Sequence, residues 1–259
     1  MAVPMSLRLI KILAVVLSTV GLMLPVWTVP SRAQSSPRLQ NKIYFPPAPD
    51  RGAPPRTVGA GSRRSSCISS NEGEILLAAL MPSNNVGTTI APNPTIYVYI
   101  PELRNKQAEF ILVETQEEKV VYQTTFPLSK SSGIVKLNLP PTVELKPGNN
   151  YQWYFGVICN PNNREEDERI TGWIERNSIS PELQMKIEQA QQQPLEQAKL
   201  YAKAGIWNEA LTILEQLRSK EPTAWAELLN SVGLGEFAQN PILDCCQVNG
   251  SPQLEIGGL

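Results

Sequence analysis

Chemistry at neutral pH most often starts from an imidazole, and this sequence of 259 residues contains no histidine. Its absence removes Ser-His-Asp and Cys-His pairs, and no serine is followed by a lysine three positions on. Two carboxylates can still act together as acid and base, as in glycoside hydrolysis. The obvious acidic run is Glu165-Glu166-Asp167-Glu168, flanked by Arg164 and Arg169. Nothing near it in sequence would desolvate one carboxyl and split the acidities, so it reads as a solvated turn. Asn160, Asn162, Glu165 and Asp167 could offer oxygens to calcium, but the spacing lacks the glycine of a calcium loop. No catalytic residue, cofactor or metal ligand is therefore expected.

The aromatic residues suggest binding instead. Tyr97 and Tyr99 alternate with Ile96, Val98 and Ile100, which places both rings on one face of a strand. An open face of that kind could stack on sugar rings or receive a partner strand. The competing reading covers both faces, one by a second sheet and the other by helices, and it is favoured because large aromatic residues are mostly core. Trp173 and Trp207 are read first as packing residues where strands meet helices.

Four cysteines, at positions 67, 159, 245 and 246, make an even set. Zinc would need closely spaced cysteines with a second pair or histidine, so structural disulfides are the preferred reading. The expected bridge is Cys67–Cys159, tying the residue before the first strand to the end of a core strand. Adjacent Cys245 and Cys246 are poorly placed to bond to each other.

The elements that must position these residues follow from periodicity. Leu145-Lys-Pro147-Gly148-Asn-Asn-Tyr151 has the spacing of a tyrosine corner, in which the hydroxyl bonds back to an upstream turn. Tyr151, Trp153, Phe155, Val157 and Cys159 then alternate as one buried face. Turn residues separate candidate strands at Ile75–Leu80, Thr88–Ala91, Thr95–Ile100, Ala108–Glu114, Lys119–Thr125, Gly133–Leu139, Tyr151–Cys159 and Arg169–Glu175. Short strands at this density predict an immunoglobulin- or fibronectin-III-like β-sandwich.

After Arg176 the period changes. Ser180-Pro181 starts a helix, with serine as cap and proline in the first turn. Tyr201, Gly205, Trp207, Ala210 and Pro222 fall at the positions of one tetratricopeptide repeat, and another helix is expected over Thr223–Val232. One repeat cannot make a solenoid groove, so these helices should pack as a small bundle on the sandwich, with Trp173 as the wedge. The whole is an α+β fold.

Arg8 and Lys11 precede an uncharged run, Ile12–Leu24, and small residues lie before Gln34. This is the pattern of a secretory signal cleaved after Ala33. The expected organisation is signal peptide 1–33, a Pro/Gly/Arg-rich disordered segment 34–66, sandwich 67–176, helices 177–234 and an irregular tail 235–259. Of 23 basic and 24 acidic residues, the leader would remove Arg8, Lys11 and Arg32 and no acid. The remaining chain is mildly acidic, which argues against nucleic acid or an anionic membrane as the main partner, and no stable membrane insertion is expected after cleavage.

Arg51-Gly-Ala-Pro, Gly59-Ala-Gly61, Cys67, the strand-rich middle, Gly172-Trp173-Ile174-Glu175-Arg176 and Tyr201-Ala-Lys-Ala-Gly205-Ile206-Trp207 occur here in one order. That order resembles the cyanobacterial DUF928 family (domain of unknown function), from about Lys42 to Asp244. The resemblance implies fold and export and names no chemistry. The expected function is an exported, non-catalytic binding or assembly module, located in the periplasm or secreted, whose partner is another exported or envelope protein. The alternative is a carbohydrate-binding or carbohydrate-processing protein using the Tyr97/Tyr99 face and the acidic loop.

Overall fold

A computed structural model describes residues 42–47, 77–104, 107–129 and 131–243. The expected leader, most of segment 34–66, and Cys67, Cys245 and Cys246 lie outside the described residues.

Among the described residues, nine strands build two mixed sheets: β1 (Ala78–Ala79), β2 (Val86–Thr89), β3 (Thr95–Ile100), β4 (Gln107–Glu114), β5 (Lys119–Pro127), β6 (Gly133–Asn138), β7 (Asn150–Val157), β8 (Glu168–Arg176) and β9 (Ile242–Leu243). Helices α1 (Pro181–Gln189), α2 (Pro194–Lys203), α3 (Trp207–Leu217) and α4 (Pro222–Ser231) lie between β8 and β9. One sheet has the order β1-β3-β6-β9 and the other β2-β8-β7-β4-β5. Neighbours are antiparallel except β2 with β8 and β6 with β9.

Alternation fills the space between the sheets. Phe110 and Leu112 of β4 and Trp153 and Phe155 of β7 meet Ile96 and Val98 of β3 in one apolar core. Gly172 on β8 is required there, since a Cβ would lie 2.5 Å from the Trp153 ring.

A second core forms on the outer side of the four-stranded sheet. Leu80, Tyr97 and Ile134 pack under Trp207, Leu211 and Trp225. The helices start where the sequence indicates: Ser180 accepts from the Leu183 amide, and α1, α2 and α4 each begin at a proline. Gly205 makes the turn between α2 and α3 at φ 73°, a backbone region that other residues avoid. Sheets and helices thus form an α+β, sandwich-like fold, and its strands and helices belong to a single compact unit.

Several expectations need correction. The second strand is Val86–Thr89 rather than Thr88–Ala91. The amides of Ile90 and Ala91 leave the ladder and donate to Glu209 Oε1 at 2.8 and 2.9 Å. The segment 34–66 is not uniformly disordered, because Lys42–Pro47 is packed in place, with Ile43 2% and Phe45 4% exposed. Their amides donate to Glu227 Oε2 and Ser231 Oγ on α4. Nor is the region from Gly235 irregular throughout. A 3₁₀ turn, Gly235–Phe237, buries Phe237, and β9 then adds to the four-stranded sheet. In both stretches a few apolar residues find a distant surface, which suffices to order a short chain.

Candidate functional site

The tyrosine pair singled out from sequence is not an open platform. Tyr97 is 2% exposed, and its hydroxyl lies 3.4 Å from Thr212 Oγ1 on α3. Burial raises its pKa well above the ordinary tyrosine value. Tyr99 is half-buried, with its ring 4.8 Å from that of Phe237. The helices and the turn after them cover this face, so it cannot serve as the stacking surface considered above.

Trp207 makes the direct tie between the layers, and Trp173 is among the residues lining the small void beside it. Trp207 is 1% exposed, meets Phe45 edge-on at 5.1 Å, and donates from Nε1 to the Leu80 carbonyl at 2.9 Å. Beside it, Glu209 Oε1 also accepts from Thr89 Oγ1 at 2.7 Å, and Lys136 Nζ lies 2.7 Å from Glu215 Oε2. These polar contacts cross from sandwich to α3. Trp173 is half-buried and belongs to neither apolar core. Strand alternation sets it on the same side of β8 as Arg169 and Thr171, away from the sheet interface. The wedge expected from Trp173 is thus supplied by the first residue of α3.

Tyr151 does form the corner: its hydroxyl accepts from the Lys146 amide at 2.9 Å. Cys159 is buried, and no cysteine among the described residues is free.

The acidic run is more ordered than a solvated turn. Its Asp167 side chain is 0% exposed and accepts from Arg164 Nε at 2.6 Å, Arg169 Nη2 at 3.2 Å and the Cys159 amide at 3.1 Å. The hydrogen bond to Asp167 raises the pKa of the Arg164 guanidinium above its ordinary value. Glu168 is likewise turned inward. Asp167 is thereby engaged as a lock on the β7–β8 connection, and no group of three metal-ligating side chains occurs among the described residues.

Two concavities deserve comparison. A void of about 10 Å³ lies between Trp153, Trp207 and Asn208, room for no more than a water. An open cleft of about 440 Å³ lies between the end of α3 and α4. There Arg218 sits 5.6 Å over the Trp225 ring and donates to the Ala238 carbonyl. The indole is 1% exposed, so the cleft offers no aromatic face to a ligand.

The open surface with binding character is the outer face of the five-stranded sheet. Tyr154 is 36% and Val120 51% exposed. Ile111 stands between Tyr154 and Gln123, and Val113 between Gln152 and Val120. Both Ile111 and Val113 are half-buried. The patch is bordered by Glu109, which accepts from Gln123 Nε2 at 3.0 Å and pairs with Arg164 at 2.8 Å. Sequence reasoning passed over this surface because it followed Tyr151, Trp153 and Phe155 inward. The same alternation places Tyr154 outward, so the signal was present.

No helix among the described residues is long and apolar enough to cross a membrane. No curated protein matches the chain. A family model described as Domain of Unknown Function (DUF928) matches residues 58–242, more than two thirds of the sequence, and covers both sheets and all four helices. The chain therefore belongs to the DUF928 family.

Proposed function

We propose that this protein is an exported, non-catalytic binding or assembly module whose partner is another exported or envelope protein. The observation that carries the reading is the outer face of the five-stranded sheet, where Tyr154 and Val120 are exposed while the outer face of the other sheet is closed by helices. Aromatic and aliphatic side chains rimmed by charge make a common protein-contact surface. The carbohydrate alternative loses its platform with the burial of Tyr97.

The strand order supports a finer fold reading as well. β1, β3 and β6 correspond to strands A, B and E of an immunoglobulin-like sandwich, and β2, β8, β7, β4 and β5 to A′, G, F, C and C′. The Tyr151–Lys146 bond supports the same assignment, at the corner before strand F. The α2–α3 pair, turned at Gly205, is tetratricopeptide-like in sequence and acts here as a cover for the sandwich.

The test is affinity capture from the native envelope or medium, comparing the unaltered chain with the double variant Val120→Lys/Tyr154→Lys. Both positions are exposed, so folding should be unchanged by circular dichroism. A co-purifying protein that is lost with the double variant supports the reading. Undiminished capture by the variant would remove this surface from the proposal.

A further inference from the structure

Among the described residues the two sheets have four edges, and three are closed. β1 and β9 are two residues each, too short to template another strand. β2 is sealed by α3: the Trp207 amide donates to Thr88 Oγ1 at 3.0 Å, and Glu209 takes the amides that follow the strand. The fourth edge is β5. It runs for nine residues, about 30 Å, and its backbone makes no hydrogen bond beyond β4 among the described residues.

Bare edges are normally guarded by charge, proline or bulges. On β5 these stand only toward the ends. Lys119 opens the strand, the register shift opposite Leu112/Val113 leaves Val121 unmatched, and Pro127 closes it. Between them, Tyr122-Gln-Thr-Thr-Phe126 carries no charge and no proline. From this contrast we infer that the protein self-associates through β5, two copies pairing antiparallel about a two-fold axis at Thr124 and joining their five-stranded sheets into one.

The segment is complementary to itself in that register. Tyr122 of one copy stands opposite Phe126 of the other on the core side, an aromatic cross-strand pair made twice by symmetry. Gln123 stands opposite Thr125 on the outer side, and no like charges meet. A foreign strand would satisfy the same backbone groups, but nothing on this edge selects one, whereas the self-pairing matches side chain for side chain. The contact is small, so the dimer dissociates on dilution. This goes beyond the proposed partner surface and stands without it.

The experiment is sedimentation equilibrium of the chain as its host processes it, across a wide concentration range. The unaltered chain should approach twice the monomer mass at high concentration, with slowed amide exchange confined to β5. Gln123→Lys/Thr125→Lys sets lysines opposite one another across the axis and should give monomer at every concentration, with an unchanged circular dichroism spectrum. Mixing it with the Gln123→Glu/Thr125→Glu chain should restore a mixed dimer. A monomeric unaltered chain up to millimolar concentration overturns the inference. So does a dimer that survives the lysine variant, or one whose protected amides lie elsewhere.

Discussion

The indole N–H of Trp207 donates to the backbone carbonyl of Leu80 at 2.9 Å, across 127 residues of chain, and so ties the first residue of α3 to the four-stranded sheet. Removing the ring opens a cavity that two layers share. Trp207→Ala should cost about 3–5 kcal/mol, and Trp207→Phe about 1–3 kcal/mol through the unpaired carbonyl. Trp173→Ala should cost less than Trp207→Ala, since its ring is only half-buried. Denaturant unfolding followed with strand- and helix-sensitive probes checks this. The two transitions should coincide and move together in Trp207→Ala; separate transitions would show that the layers unfold independently.

Glu209 gathers three donors on one oxygen, from Thr89, Ile90 and Ala91. Glu209→Ala strands the Thr89 hydroxyl and the Ile90 amide, while the Ala91 amide keeps Thr89 Oγ1 as an acceptor at 3.0 Å. It should destabilise by about 2–3 kcal/mol, whereas Glu209→Gln keeps an acceptor there and should lose about 1 kcal/mol. Equal losses in the two variants, measured by urea midpoints, would point to lost packing rather than lost hydrogen bonds.

The Tyr151 corner is a single neutral hydrogen bond on a ring that is otherwise core. Tyr151→Phe retains the packing and should lower stability by about 1 kcal/mol. Amide exchange at Lys146 should quicken by more than the global change accounts for. Unchanged protection at that amide would mean the bond contributes little in solution.

The bridge expected between Cys67 and Cys159 closes a loop of nearly a hundred residues, worth about 4–5 kcal/mol in the chain-entropy account. Peptide mapping without reduction should recover the two cysteine peptides linked. Recovery of a peptide joining Cys159 to Cys245 or Cys246 would assign the bridge to the end of the chain instead.

N-terminal sequencing of the native protein tests export. The first residue should be Gln34, and a retained Met1 in a membrane fraction would make the leader an anchor.

By itself the sequence determined whatever depends on neighbours a few residues apart. Alternating residues located β3 to its exact ends and β4 to within one residue, and capping chemistry at Ser180-Pro181 started α1 where it begins. The Lys146–Tyr151 corner was readable because its two partners lie five residues apart. Alternation also divides each strand into two faces, but it does not say which face is covered. That choice depends on where distant elements land, so Tyr97 was a possible binding face in the sequence and is core in the fold, while Tyr154 went unnoticed and is exposed. Ile43, Phe237 and β9 were missed for the same reason. Their surfaces are assembled from residues far away in the chain, and a short apolar pair carries too little local preference to announce that it will be buried. Which of Trp173 and Trp207 joins the layers was likewise decided only by tertiary packing: the first residue of α3 lands against Leu80 and Phe45, while strand alternation sets Trp173 on the side of β8 away from the sheet interface.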